Sequence, residues 1–268
     1  MNIVVCIKQV PDTTEVKVDP ETGTLMREGV PSIVNPFDEF AIEEALSLRQ
    51  TFGGRVTVIS MGPPQAASAL RQALGMGADE AVLLSDRSFA GADTWSTSYT
   101  LAAAIRKTGP FDIILCGKQA IDGDTGQVGP GIAVQLGIIP LTYVSKINRV
   151  ELTSAPGVIE VERMLDEGRE IVEGRLPVLL TVVKDINVPR LVSISDIRRA
   201  LGIQIPTWTA ADLPGVDSRK LGLKGSPTRV SRIESPPRRA SKGEMIPVDN
   251  VDEAASALVD KLRAAKAL

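Results

Sequence analysis

Four short apolar runs, each parted from the next by a segment of helical period, constrain this chain more than any other feature. They are NIVVCI at 2–7, RVTVIS at 55–60, AVLL at 81–84 and DIILC at 112–116. Each is the length of a strand buried on both faces. The segments between them read as helices. In DEFAIEEALSLRQTFGG the acidic residues gather in the first turn and Gly53 and Gly54 end it. PPQAASALRQALGMGAD is alanine-rich and stops at Gly75 or Gly77, and DTWSTSYTLAAAIRKTG runs from a cap at Asp93 or Thr94 to basic residues before Gly109. A fourth helix starts between Gly126 and Gly129 and reaches Leu136. Strands alternating with helices build βαβ units, and right-handed crossovers then give a mostly parallel sheet.

The texture changes at Pro140. From there to Val183 the chain reads as paired strands, with Gly157 and Gly168 as turn points, that extend the sheet. A helix follows at 193–201. Residues 203–247 are rich in Pro, Gly, Ser, Arg and Lys and hold too few apolar positions for a core of their own, yet the amphipathic VDEAASALVDKLRAAKAL comes after them. A segment of this kind suits a partner subunit's surface. The expected organisation is an α/β nucleotide-binding domain at 1–202 and a C-terminal arm and helix at 203–268.

The 268 residues include no histidine, so Ser-His-Asp, Cys-His and histidine–metal chemistry is excluded within this chain. Redox or group-transfer work would fall to a cofactor. Two cysteines, Cys6 and Cys116, make no zinc site and read as buried thiols of a reducing compartment. A net charge of −3 offers no basic face for nucleic acid. No run reaches the roughly 18 to 20 apolar residues of a membrane span, and the N-terminus has no signal-peptide pattern, so a cytoplasmic protein without membrane insertion is expected.

In open α/β sheets a ligand lies beyond the carboxyl ends of the strands, where strand order reverses. With the four strands ordered 3-2-1-4, that crevice lies between CIKQVPDT and CGKQAIDGD. The second of these opens CGKQAIDGDTGQVGPG, residues 116–131, which matches neither G-x-G-x-x-G nor the P-loop. Gly117, Gly123, Gly126 and Gly129 let backbone N–H groups face an anion, and the following helix points its positive end the same way. Thr125 and Gln127 add side-chain donors; Asp122 and Asp124 cap the helix or bond ribose hydroxyls. On the same rim lie SMGPP, where Gly62 allows close backbone approach, and VNPFDEF, where Asn35 and Asp38 suit an adenine or ribose edge and Phe37 a ring. From the residues alone, an adenine-nucleotide site and a glycine-rich surface turn both remain open.

Five ordered motifs, NPFDEFAIEEAL, LGMGAD, GKQAIDGDTGQVGP, VERMLDEGREIVEGRLPVLLTV and DINVPRLVSI, resemble the β subunit of electron transfer flavoprotein over almost the whole chain. The resemblance implies a Rossmann-like fold that binds adenine nucleotide and an α-subunit partner that carries a redox FAD. It also implies an arm wrapped around that partner, with PPRRASKGEMI as part of it. The implied nucleotide site comprises Cys6, Asn35, Pro36, Phe37, Asp38, Met61, Gly117, Lys118, Gln119, Ala120, Ile121, Asp122, Gly123, Asp124, Thr125, Gly126, Gln127 and Val128. In the implied recognition loop for partner dehydrogenases, Ile186 matches the apolar anchor and Asn187, Pro189, Arg190 and Leu191 the remainder.

Ordinary members bind AMP here and carry a more acidic turn after GKQAI. Gly123-Asp124-Thr125-Gly126 is instead similar to the electron-bifurcating subgroup, in which the β subunit binds a second FAD that accepts a hydride from NADH. The implied function is therefore an electron carrier. It would pass electrons from NADH to the α-subunit FAD, to an acyl-CoA dehydrogenase-type flavoenzyme and to a low-potential acceptor such as ferredoxin or flavodoxin. Lys8 and Asp122 would be placed to tune the flavin. The rival readings are a member with structural AMP serving acyl-CoA dehydrogenases, a stand-alone nucleotide-hydrolysing or adenylating enzyme, and a scaffold without nucleotide.

Overall fold

The computed structural model describes residues 1–12, 31–153, 156–231 and 243–268. The apolar runs form β1 (Asn2–Ile7), β4 (Arg55–Met61), β5 (Glu80–Leu84) and β6 (Ile113–Gly117); a small ribbon of β2 (Gln9–Pro11) and β3 (Ser32–Val34) stands beside them. Between these strands run α1 (Pro36–Phe52), α2 (Ala67–Met76) and α3 (Thr94–Thr108), with α4 (Val128–Leu136) after β6. Asp93 is the cap of α3, its carboxylate accepting from the Ser96 N–H, and Gly77, at φ +128°, ends α2.

The second half supplies β7 (Ile139–Glu151), β8 (Val158–Leu165), β9 (Gly168–Arg175), β10 (Val178–Val182), α5 (Ile194–Gly202), β11 (Thr207–Trp208) and the single turn α6 (Gly222–Gly225). Among the described residues, nine strands make one sheet in the order β11-β5-β4-β1-β6-β10-β7-β8-β9. The expected 3-2-1-4 order of the first four strands is its centre. β7, β8 and β9 pair antiparallel and extend it, as expected. The last apolar run, however, does not pair with β9. β10 returns between β6 and β7 and lies parallel to both, because all five of its residues are buried, and a strand apolar on both faces belongs inside a sheet.

Helices cover both faces of the sheet. Ile42 and Leu46 of α1, Leu70 and Leu74 of α2 and Ala200 of α5 pack against Val5, Val58 and Leu115 on one side. Leu101 and Ile105 of α3 and Ile132 of α4 pack against Ile59, Ile114 and Leu179 on the other. Each of the valine, leucine and isoleucine side chains among these is worth about 2 kcal/mol of transfer free energy when wholly buried.

Residues 203–231, the first part of the expected arm, pack on this same unit. β11 pairs with β5 at the sheet's edge, and Leu213 and Leu221 are buried in the second core. The chain divides into compact units at Met1–Ser231 and Arg232–Leu268. Residues 232–242 of the expected arm lie outside the described residues. The second unit carries α7 (Val251–Ala264), which starts at Asn250, the side chain of which accepts from the Asp252 N–H. Among the described residues no helix is long and apolar enough to cross a membrane.

Candidate functional site

Parallel pairing sets the carboxyl ends of β1 and β6 side by side, with Cys6 opposite Cys116. The loops that follow them, together with the turn before α1, make the crevice expected from strand order. Asn35 and Asp38 hold these pieces together. The Asp38 carboxylate accepts from the Lys8 N–H at 2.7 Å, just beyond β1, and from the Gly117 N–H at 3.1 Å, the last residue of β6. Asn35 Nδ2 donates to Asp38 at 2.9 Å and to the Gln119 carbonyl at 2.8 Å, and Asn35 Oδ1 accepts from the Ile121 N–H at 3.1 Å. Both side chains are buried, so the polar atoms expected to meet a ligand are used to fix the loop. The start of the NPFD turn thus clasps two strand ends and residues 119–121.

Burial pushes the Asp38 carboxyl up to about 7, against the hydrogen bonds from Asn35, Lys8 and Gly117, which pull the other way. The Cys116 thiol is pushed well above its usual range, first by its contact with Cys6 and then by burial. Both cysteines are free and buried, as the sequence suggests.

Across the mouth of the crevice Lys8 Nζ and the Asp122 carboxylate form an ion pair at 2.6 Å, so the two charges expected near a cofactor also meet each other. The 120–124 turn closes on itself, the Gly123 and Asp124 N–H groups donating to the Ala120 carbonyl, with Asp124 at φ +48° and bonded by Gln119 Nε2 at 2.7 Å. Gly126 takes φ +61°, a conformation that favours glycine. α4 then begins. The Val128 and Gly129 N–H groups in its first turn have no intrahelical acceptor, and the Gln127 side chain is held by Thr94 Oγ1 at 2.9 Å, which ties the starts of α3 and α4 together.

Glycine at 129 has a second cause. A Cβ there would lie 2.5 Å from Thr181 Cγ2 of β10, so α4 approaches the sheet only without one. Gly129→Ala is expected to cost about 2 kcal/mol of unfolding free energy. Adding Thr181→Ser removes the opposing methyl and keeps the hydroxyl that accepts from the Tyr143 N–H, so the double variant should recover most of the loss in urea melts.

Pro36 and Phe37 open α1 beside this loop, and Met61 ends β4 one strand further along the rim, half-buried against the second core. Sequence reasoning missed Thr94, Thr181 and Tyr143, which reach the site from α3, β10 and β7. Their signal was weak because each lies in an element with an ordinary structural role.

The expected recognition loop lies on the other side of α1. Arg190 forms a bidentate pair with Glu43, both distances 2.8 Å, and Asn187 Nδ2 donates to the Phe40 carbonyl and to Glu44, each at 3.0 Å. Glu43 is held below the usual range by Arg190 despite its burial, and Glu44 above it by burial. Ile186 is half-buried against the core, whereas Leu191 is 97% and Val188 86% exposed.

The family model described as the electron transfer flavoprotein domain matches residues 22–213. The chain is 54% identical over 264 residues to the electron transfer flavoprotein subunit beta of Clostridium acetobutylicum, a match covering 98% of each chain. It is 51% identical over 264 residues to the caffeyl-CoA reductase-Etf complex subunit CarD of Acetobacterium woodii, again over 98% of each. The protein FixA of Bradyrhizobium diazoefficiens is 49% identical over 266 residues, 98% of this chain and 91% of the relative.

Proposed function

The chain belongs to the electron transfer flavoprotein β-subunit family, and from that premise we propose that it binds FAD in the crevice between β1 and β6 and works in flavin-based electron bifurcation. Members of the family pair with an α subunit, serve dehydrogenases and carry flavin and AMP. The observation that carries the finer reading is the turn ahead of α4. A Cβ at Gly123 would meet nothing within 4 Å, and at Gly126 the first neighbour would be the Lys118 carbonyl at 3.6 Å, so the approach to the helix start is clear of side chains at both glycines. The space and the unpaired N–H groups of α4 suit a pyrophosphate as well as a single phosphate.

The bound flavin would supply the exchange of one and two electrons and the hydride acceptor for NADH. The chain's own residues position it. Val128 and Gly129 offer N–H donors to phosphate, the Asn35–Asp38 clasp fixes the loop from Gly117 to Ile121, and the Lys8–Asp122 pair sets the charge at the mouth. Electrons would pass onward to the α-subunit FAD, to an acyl-CoA dehydrogenase-type partner and to ferredoxin or flavodoxin. Anaerobic NADH titration of the purified heterodimer tests this: bleaching of the flavin absorbance is expected, whereas the AMP reading expects none.

Residues 186–191 serve, on this reading, as the docking loop, and residues 203–268 contribute the contact with the α subunit. Leu191→Glu should slow electron exchange with the partner dehydrogenase by about tenfold, the effect of losing roughly 1.4 kcal/mol of docking energy. The melting temperature should not move, because Leu191 touches little of its own chain.

A further inference from the structure

An exposed aromatic pair stands on α3, beginning one residue past the bond from Thr94 to Gln127 that ties this helix to the start of α4. Trp95 and Tyr99 stack with ring centroids 5.7 Å apart and planes 2° from parallel. Tyr99 has a structural reason to be there, since its hydroxyl accepts from the Asp217 N–H at 2.9 Å. Trp95, by contrast, is 39% exposed. An indole held flat against a second ring and left open to solvent is a preorganised contact, because stiff aromatic side chains lose little freedom when a partner covers them.

The chain from Asp217 to Thr228 is laced to the same half of α3. Ser96 Oγ donates to the Lys220 carbonyl at 2.9 Å, the Asp93 N–H to Ser226 Oγ at 2.8 Å, and the Thr228 N–H to the Asp93 carboxylate at 2.9 Å. Lys220 Nζ then lies 5.4 Å from the Tyr99 ring centroid. Leu223 is fixed by its N–H to the Ala90 carbonyl at 3.0 Å, on the loop that leads into α3, and is 60% exposed. The charge here runs against that of the chain as a whole. Residues 217–231 hold Arg219, Lys220, Lys224 and Arg229 against the single acid Asp217, in a chain of net charge −3. Asp217 pairs with Arg219 at 2.9 Å, and the neighbouring Asp86 and Asp93 carboxylates are occupied by the backbone N–H groups of Ser88, Ala210, Ser96 and Thr228. Lys220, Lys224 and Arg229 are thus an exposed positive surplus around apolar groups, the composition of a docking face with an apolar centre and a charged rim.

We propose that Trp95, Tyr99, Lys220 and Leu223, with Lys224 and Arg229, form the docking face for an acidic electron-carrier protein, the low-potential acceptor of the proposed reaction. The basic surplus selects an acidic partner. The place of the face, at the end of α3 that is tied to the crevice, selects a partner that exchanges electrons with what the crevice holds. The partner's identity rests on the bifurcating reading, whereas the surface stands on its own packing and charge.

Biolayer interferometry of the αβ heterodimer against a purified acidic ferredoxin tests the face, alongside anaerobic NADH titration of the same samples. Trp95→Ala should weaken ferredoxin binding about tenfold or more, and Trp95→Phe should restore most of it. The double variant Lys220→Glu, Lys224→Glu should weaken it about tenfold at roughly 50 mM salt and much less at roughly 500 mM, where the charges are screened. Bleaching by NADH should be unchanged in every variant. Ferredoxin binding that the wild type shows and that survives both Trp95→Ala and the double lysine variant would overturn the proposal. Variants that lose the α subunit on size exclusion would assign the face to the subunit contact and overturn it too. Wild-type heterodimer that NADH bleaches but that binds no ferredoxin would overturn the docking face alone; absence of both bleaching and binding would overturn the bifurcating reading with it.

Discussion

Replacing Asp38 by alanine should lower the heterodimer's unfolding free energy by about 3 kcal/mol, because the Lys8 and Gly117 N–H groups and the Asn35 amide would lose a buried acceptor. Urea denaturation reads this directly, and nucleotide affinity should fall with it as residues 117–121 are released. A second signature is the dependence on pH. The carboxyl ordinarily titrates at 3.8 and in the folded chain at about 7, so its contribution is fully present below 3.8 and is lost as the pH rises through 7. Lys8 and the Cys116 thiol are the titratable neighbours. Asp38→Asn removes this dependence. The stability difference between wild type and Asp38→Asn should therefore shift toward wild type as the pH falls from about 8 to about 5. A difference independent of pH would contradict the buried, titrating clasp.

Gly117→Ala should be comparably severe. A Cβ on Gly117 would sit 2.3 Å from Asp38 Oδ1 and 2.7 Å from both the carbonyl carbon and the Cβ of Phe37. All three of these atoms belong to the first turn of α1, one of them to its backbone, so relief requires moving the helix off the end of β6. A loss of about 3 kcal/mol is expected, with the Asp38 clasp broken at the same time. The double variant Gly117→Ala, Asp38→Ala should then lose far less than the sum of the singles, because both act on one contact. Additive losses would show that Gly117 is required for some other reason.

The βαβ half of the fold and its strand order were legible in the sequence because short apolar runs and capped helices leave few arrangements. β10 was not, since a run apolar on both faces specifies burial but not its neighbours. The crevice was legible as a place, through strand ends and glycines. The work of single residues was harder to read. Asn35 and Asp38 look like ligand donors in a linear motif, but their partners Lys8, Gly117, Gln119 and Ile121 lie from 30 residues before to 86 residues beyond in sequence and only the fold brings them together. Gly129 looked like a phosphate glycine, and its closest constraint proves to be Thr181 of β10. Tyr143 carried only a weak signal, because its place beside Thr181 follows from strand pairing rather than from composition.

On the proposed reading, the crevice between β1 and β6 would hold a second flavin. Release of bound nucleotide from the purified heterodimer by heat or acid, followed by chromatography against FAD and AMP standards, measures it directly. Two FAD per heterodimer and no AMP is the predicted result. One FAD with one AMP would contradict it and leave this subunit as a structural support for the flavin of its partner.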